Sequence, residues 1–485
     1  MDLRKIFSYI PEVKKPEEKR VSFNTKLKWT LIILTLFFVL SNVPLFGLSE
    51  NALARFEYLA MILGTSFGSI ISLGIGPIVM ASVVLQLLTG SKILNIDTTT
   101  EEGKRFFQGI QKLMVFFFIF FEAIVYVLMH GLQAVPGFAW VVILQLILGG
   151  LAIFYMDEVC QKWGFGSGVS LFIGAGVSLR LITSAFQFID PQGRICLINF
   201  TKETGAACSG KVLVLLQSLI LGYQTEFYSA AAAILATVLV FLVVVWAQSL
   251  KVEIPLSFGR IRGYSIKWPL SFFYASVIPV ILTAALVANI QLFGGMIENA
   301  AAPCLVENAG EACSGMAKLA SYFTFLGHFV NGRAVSGFAF WISSTNILGL
   351  LIKGGFRWVL LLQGLFHTLF FMFFSTLFAV LWVKNTGMDA KSQAEKISAS
   401  GLQVAGFRQD IRIIESILNR YIPALTVMGG MAIGFLASIT NLIGAMVSGT
   451  AILLVIMIMF QFYRNIAQQH EADMAPALRK FMGGY

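Results

Sequence analysis

Four histidines and five cysteines are the side chains best suited to metal or nucleophilic chemistry, and the sequence keeps them apart. His130, His328, His367 and His470 fall on separate segments, whereas a metal site needs convergent partners. The chain has no GxxxxGK[ST] phosphate loop, no HExxH helix and no CxxC pair. His367, inside a long apolar run, reads as an interior side chain held by a hydrogen bond rather than as a ligand. Without a catalytic constellation, any energy the protein uses must come from elsewhere.

What the chain has in quantity is apolar surface. Of its 485 residues 57% are hydrophobic and only 12% are charged, against roughly 25% charged in a soluble domain. A soluble globular protein is excluded, and an all-α polytopic membrane protein is expected, because in hydrocarbon the backbone must satisfy its own hydrogen bonds. A crossing helix needs about 20 mostly apolar residues. Ten runs qualify, near 29–48, 71–90, 113–132, 137–157, 166–187, 226–249, 270–293, 357–383, 422–441 and 444–463. Two apolar stretches remain. Residues 55–66 are too short to cross and suit a re-entrant or plugging helix. Residues 334–352 are long enough, but Ser336, Gly337 and the polar run Ser343, Ser344, Thr345 and Asn346 would be costly in lipid, so they are assigned to an external loop.

Ten spans place both termini on one side. The amino-terminal tail, the loops 91–112, 158–165, 250–268 and 384–420 and the carboxy-terminal tail hold 26 of the 35 Lys and Arg. The positive-inside rule makes that face cytoplasmic, and shifting the count by one span would destroy the asymmetry. The formal charge of +10 is therefore first a matter of topology. The first apolar run follows a polar tail of 28 residues and is long enough to span, so it is expected to be a helix rather than a cleaved signal. Cys196 and Cys208 fall in the external loop 188–225, Cys304 and Cys313 in the external loop 294–356, and Cys160 on the cytoplasmic side. Two close external pairs favour two disulfides, with four free thiols as the alternative. Asn199-Phe200-Thr201 also matches the short glycosylation pattern.

Polar groups inside the runs mark function by default. Glu122 stands mid-run in FFFIFFEAIVYV, Asn289 lies in the seventh run, and Asn42 and Pro44 lie near the end of the first. A proton-coupled transporter calls for a relay of Asp, Glu and His. A lone carboxylate fits a contact between helices better. In LGIGPIV, Gly74, Gly76 and Pro77 loosen a helix start while Ile75 and Val79 lie one turn apart. GFGSGVSLFIGAG repeats the arrangement around Val169 and Ile173. Small residues allow close helix packing. The functional reading is a constriction of branched aliphatic side chains that blocks water and ions by dewetting.

These segments resemble the SecY protein-conducting channel family in its archaeal and eukaryotic form. The resemblance runs over nearly the whole chain, through YIPEV (Tyr9 to Val13), LGIGPIV (Leu73 to Val79), FQGIQKL (Phe107 to Leu113), GFGSGVSLFI (Gly164 to Ile173) and VEIPLSFGRIRG (Val252 to Gly263). It continues through IPVILTAALVANIQL (Ile278 to Leu292), NTGMDAKSQAEKI (Asn385 to Ile397) and RYIPALTVMGG (Arg420 to Gly430). It implies ten transmembrane helices in two pseudo-symmetric five-helix halves, 29–187 and 226–463, flanked by cytoplasmic segments 1–28 and 464–485, with a cytoplasmic loop at 384–421. The family's pore ring falls on Ile75, Val79, Val169, Ile173, Ile281 and Leu454, and its plug on 55–66. Its lateral gate lies between the second and third helices on one side and the seventh and eighth on the other. The gate's polar cluster falls on Glu122 and Asn289, but its third position is Met80 here instead of a hydroxyl residue. Arg260, Arg262 and Arg408 match positions that meet the ribosome, where phosphate attraction dominates.

The implied function is a passive channel for secretory chains, which releases hydrophobic segments sideways into membrane lipid and recognises signal sequences and nascent polypeptides. Implied partners are the ribosome and two small subunits of SecE and Sec-beta type, with no cofactor. A secondary transporter of a small solute is the alternative, since such proteins also use inverted repeats and glycine-interrupted helices. Uniformly aliphatic ring positions argue against it.

Overall fold

In a computed structural model the protein is described over residues 11–17, 21–51, 66–90, 93–94, 96, 101–129, 131–188, 209–258, 265–275, 278–305, 318, 321–330, 333–355, 357–399, 402–404 and 410–473. Five membrane helices make up the first half: α1 (Phe23–Ser41), α2 (Gly76–Gly90), α3 (Glu101–Leu128), α4 (Ala139–Trp163) and α5 (Gly168–Phe186). A short helix, α6 (Lys211–Leu221), leads into α7 (Gln224–Ser249) and α8 (Ile278–Leu305). Two short helices, α9 (Phe338–Ile342) and α10 (Ile347–Ile352), precede α11 (Trp358–Asn385). The short helix α12 (Ala390–Ala399) precedes the last pair, α13 (Ile411–Ile443) and α14 (Gly449–Asp473). Among the described residues nine helices are long and apolar enough to cross a membrane. The tenth, α2, has 15 residues.

The reason α2 is short is local. Ser69 Oγ donates to the Ser66 carbonyl at 2.6 Å, and Ser72 Oγ accepts the Gly68 N–H at 2.9 Å. Such side-chain bonds compete with the helical ladder. Gly74 then takes φ +55°, a left-handed turn that glycine accepts without steric cost. The run at 71–90 is therefore helical only from Gly76.

A second boundary shifts further. The run at 270–293 opens as strand: β3 (Lys251–Phe258) pairs antiparallel with β4 (Ser265–Ser271), and β3 also pairs with β7 (Leu402–Val404). Helix α8 starts at Ile278, with Pro279 in its first turn where no ladder bond is lost. It continues to Leu305, so Cys304 lies in its last turn rather than in the loop that follows. Two small two-stranded antiparallel sheets complete the strands, β1 (Leu48–Asn51) with the sequence-distant β2 (Leu132–Ala134) and the hairpin of β5 (His328–Val330) with β6 (Arg333–Ser336).

Residues 334–352 do not span. They form β6, α9 and α10, and their polar run is held by α11. Gln363 Nε2 donates to the Phe340 carbonyl at 2.7 Å and Ser343 Oγ at 2.9 Å, and Thr345 Oγ1 donates to Gln363 Oε1 at 2.9 Å. His367 Nδ1 donates to the Ile342 carbonyl at 2.7 Å. Asn346 Oδ1 caps α10 by accepting the Gly349 N–H at 2.7 Å.

The amino-terminal segment is tied to α3 and α4. Lys112 and Lys162 both pair with Glu158, at 2.8 and 3.0 Å, and both also reach Glu12, at 3.2 and 2.8 Å. The Val13 N–H donates to Glu158 Oε2 at 3.2 Å, and Trp163 Nε1 donates to the Lys14 carbonyl at 3.0 Å. The Lys162 hydrogen bond, with Lys112 beside it, holds the Glu12 carboxyl below its ordinary value.

Candidate pore and lateral gate

Four helix starts converge in sequence logic and in packing. Ile75 occupies the turn before α2, and its carbonyl accepts the Val79 N–H at 3.0 Å, which puts the two side chains on one face. Val169 and Ile173 lie in the first turns of α5, Ile281 in the first turn of α8 and Leu454 in the second turn of α14. Ile75, Val79, Ile173, Ile281 and Leu454 are buried in one continuous hydrophobic cluster, and half-buried Val169 packs against it. The contributing helices are the second and fifth membrane helices of each half. Helix α2 touches α8, α5 touches α14, and α8 touches α14. None of the six side chains carries a polar or ionisable group. Such a patch can exclude water and ions by dewetting but offers no group to bind a solute.

At the candidate gate, α2 packs on α3 on one side and on α8 and α11 on the other. Glu122 of α3 is fully buried, and neither carboxyl oxygen has a partner. Its Oε2 lies 3.0 Å from where a Cβ on Gly76 would sit, so the carboxyl rests against bare backbone at the start of α2. Met80, half-buried, follows one turn later. Asn289 of α8 is buried but donates within its own helix, from Nδ2 to the Ala285 carbonyl at 2.9 Å. Glu122 thus faces the start of α2, while the Asn289 amide hydrogen bond stays within α8. Met129, just past the carboxy-terminal end of α3, packs against Ala300 and Ala301 near the carboxy-terminal end of α8.

Several predicted positions fall outside the described residues: Arg260, Arg262, Arg408, Cys196, Cys208, Cys313 and all of 55–65. What is described is their support. Strands β3 and β4 flank 259–264, and β7 precedes 405–409 in the same sheet, so the segments bearing Arg260, Arg262 and Arg408 spring from one three-stranded platform. Cys160 is buried and free at the end of α4.

The SecY family model matches residues 69–463. The chain belongs to the SecY family. The protein translocase subunit SecY of Methanothermobacter thermautotrophicus is 42% identical over 483 residues, covering 99% of this chain and 98% of that protein. The corresponding SecY of Methanocaldococcus jannaschii is 36% identical, with 98% of each chain covered. Among solved structures, a protein-conducting channel superposes with a TM-score of 0.78 at 35% identity, covering 99% of this chain and 100% of that one. The canine Sec61 of a ribosome–channel complex from the endoplasmic reticulum gives 0.75 at 34% identity, again over 99% and 100%.

Membership fixes the class. This SecY-family chain is an integral multi-pass membrane protein with the ten-helix channel fold, and it is the pore-forming subunit of a protein translocation channel. The solute-transporter reading finds no support. Reading the sequence missed the small sheets and the tie between the amino-terminal segment and α4. Glu158 and Lys162, four apart at the end of an apolar run, were the available signal for that tie.

Proposed function

We propose that secretory chains cross this protein through the ring of Ile75, Val79, Val169, Ile173, Ile281 and Leu454, after displacement of a plug formed by residues 55–66. The observation that carries this reading is that six aliphatic side chains from four helix starts, two in each half, belong to or pack against one hydrophobic cluster. Hydrophobic segments of about 20 residues leave between α2 and α3 on one side and α8 and α11 on the other, sorted by their preference for lipid. Glu122, Asn289 and Met80 line that exit. The protein acts as a conduit, not an enzyme, and the driving force comes from a partner. Both termini face the cytoplasm, where Arg260, Arg262 and Arg408 present cationic tips to ribosomal RNA. Small subunits of SecE and Sec-beta type complete the assembly.

The direct test is reconstitution. Vesicles containing the assembled channel should convert an added secretory precursor into a protease-protected form when a ribosome or motor drives it. Saturable uptake of a small solute with no protected precursor would contradict the reading.

On the external side, Cys196, Cys208, Cys304 and Cys313 form two disulfides that staple the loops on either side of α7 and α8. All four are then expected to resist alkylation until reduced, whereas four alkylatable thiols in the unreduced protein would refute the pairing.

A further inference from the structure

The turn that leads into α5 is held by three different helices. The Phe165 N–H donates to Thr30 Oγ1 of α1 at 3.3 Å, and the Phe165 carbonyl accepts from Asn465 Nδ2 of α14 at 3.1 Å. From α4, Asp157 accepts the Val169 N–H through Oδ1 at 3.0 Å and Gln161 Nε2 through Oδ2 at 2.8 Å. The Gly168 N–H and the Ser167 hydroxyl face the same carboxyl. Asp157 is only 5% exposed.

The N-cap of α5, Ser167, makes no side-chain cap bond of its own. Asp157 therefore does from a neighbouring helix what an N-cap does from within: it satisfies amides that the first helical turn leaves unpaired. The fit is close, because a Cβ on Gly168 would stand 2.7 Å from Asp157 Cα. The adjacent carboxylate, Glu158, is committed to Lys112 and Lys162, so Asp157 is not part of that ionic cluster. Its hydrogen-bond partners cluster at the start of the helix that carries Val169 and Ile173. Asn465 lies on the same helix as Leu454, three turns further on.

We propose that Asp157 is a positioning residue for the pore: it fixes the backbone of Val169, and with Asn465 it holds Val169, Ile173 and Leu454 as one wall of the constriction. The proposal rests on the pore reading above. Removing this buried carboxyl would strand the amides of the turn that must stay in register.

The test measures resting ion efflux from vesicles containing the complete channel complex. Asp157→Ala should raise efflux about tenfold, the effect of losing a buried hydrogen-bond acceptor on a barrier. Asp157→Asn keeps an oxygen for the Val169 N–H and should stay within about twofold of the parent. Gln145→Ala removes two hydrogen bonds to the Phe46 backbone near the other end of α4 and should leave the seal intact. Asn465→Ala should leak several-fold, and it carries the test if Asp157→Ala does not assemble.

An Ile75→Asn, Ile281→Asn double variant serves as the leaking reference. If that reference leaks while Asp157→Ala or, in its place, Asn465→Ala stays sealed, the positioning role is overturned. It is also overturned if Asp157→Asn or Gln145→Ala leaks as much as Asp157→Ala. A sealed reference instead overturns the ring itself, and the positioning role with it.

Discussion

Vesicles carrying the channel with Ile75→Asn and Ile281→Asn together should show a resting ion conductance at least about tenfold above the parent, since each 1.4 kcal/mol off a barrier is about a factor of ten. Both side chains are almost fully buried, at 0% and 4% exposure, in the cluster shared by α2, α5, α8 and α14. Fully burying an Ile contributes roughly 1.5–3 kcal/mol relative to leaving it in water. An amide at the same place supplies water with a hydrogen-bonding partner and removes the dewetting that closes the path. The pair matters because the residues come from opposite halves, so the two changes open one constriction from both walls. The control is Ile75→Val with Ile281→Val, which keeps the surface aliphatic and should keep the seal. Unchanged conductance in the Asn pair would remove both residues from the ring.

Glu122→Met should raise the Tm of the purified complex while slowing translocation. An acceptor left buried and unpaired costs roughly 1–3 kcal/mol, and both carboxyl oxygens of Glu122 are in that position. Methionine follows the same unbranched path past Gly76 and needs no partner. The seam between α2 and α3 should therefore tighten. A group that destabilises the closed arrangement and gains a partner only when the gate parts would favour opening, so removing it stabilises the resting state at the expense of activity. Met80→Thr probes the same point from α2. A hydroxyl one turn from Gly76 offers Glu122 a donor, so it should raise Tm in the parent but not in Glu122→Met. A fall in Tm on Glu122→Met would show that the carboxyl is partnered after all.

Much of this was legible in the sequence, and the parts that were not have physical causes. Glycine spacing singled out Ile75, Val79, Val169 and Ile173, the positions of the proposed constriction, and the structure has them at helix starts because Gly74 and the glycines of 164–168 interrupt the ladder there. The isolation of Glu122 was visible as a single carboxylate in a run of phenylalanines. The beginning of α8 was not legible, because WPLSFF reads as apolar whether it is strand or helix, and only pairing with β3 decides. The clamp on the turn into α5 was hidden for a different reason. Thr30, Asp157 and Asn465 are far apart in the chain and ordinary in type, and only the packing of α1, α4 and α14 around one turn brings them together.

The central claim is that a polypeptide passes through the aliphatic ring. A photo-reactive residue at Ile75 or Ile281 should crosslink a stalled secretory chain, whereas the same probe at Leu144, which is 57% exposed on the outer face of α4, should not. Crosslinks at Leu144 with none at Ile75 or Ile281 would contradict it.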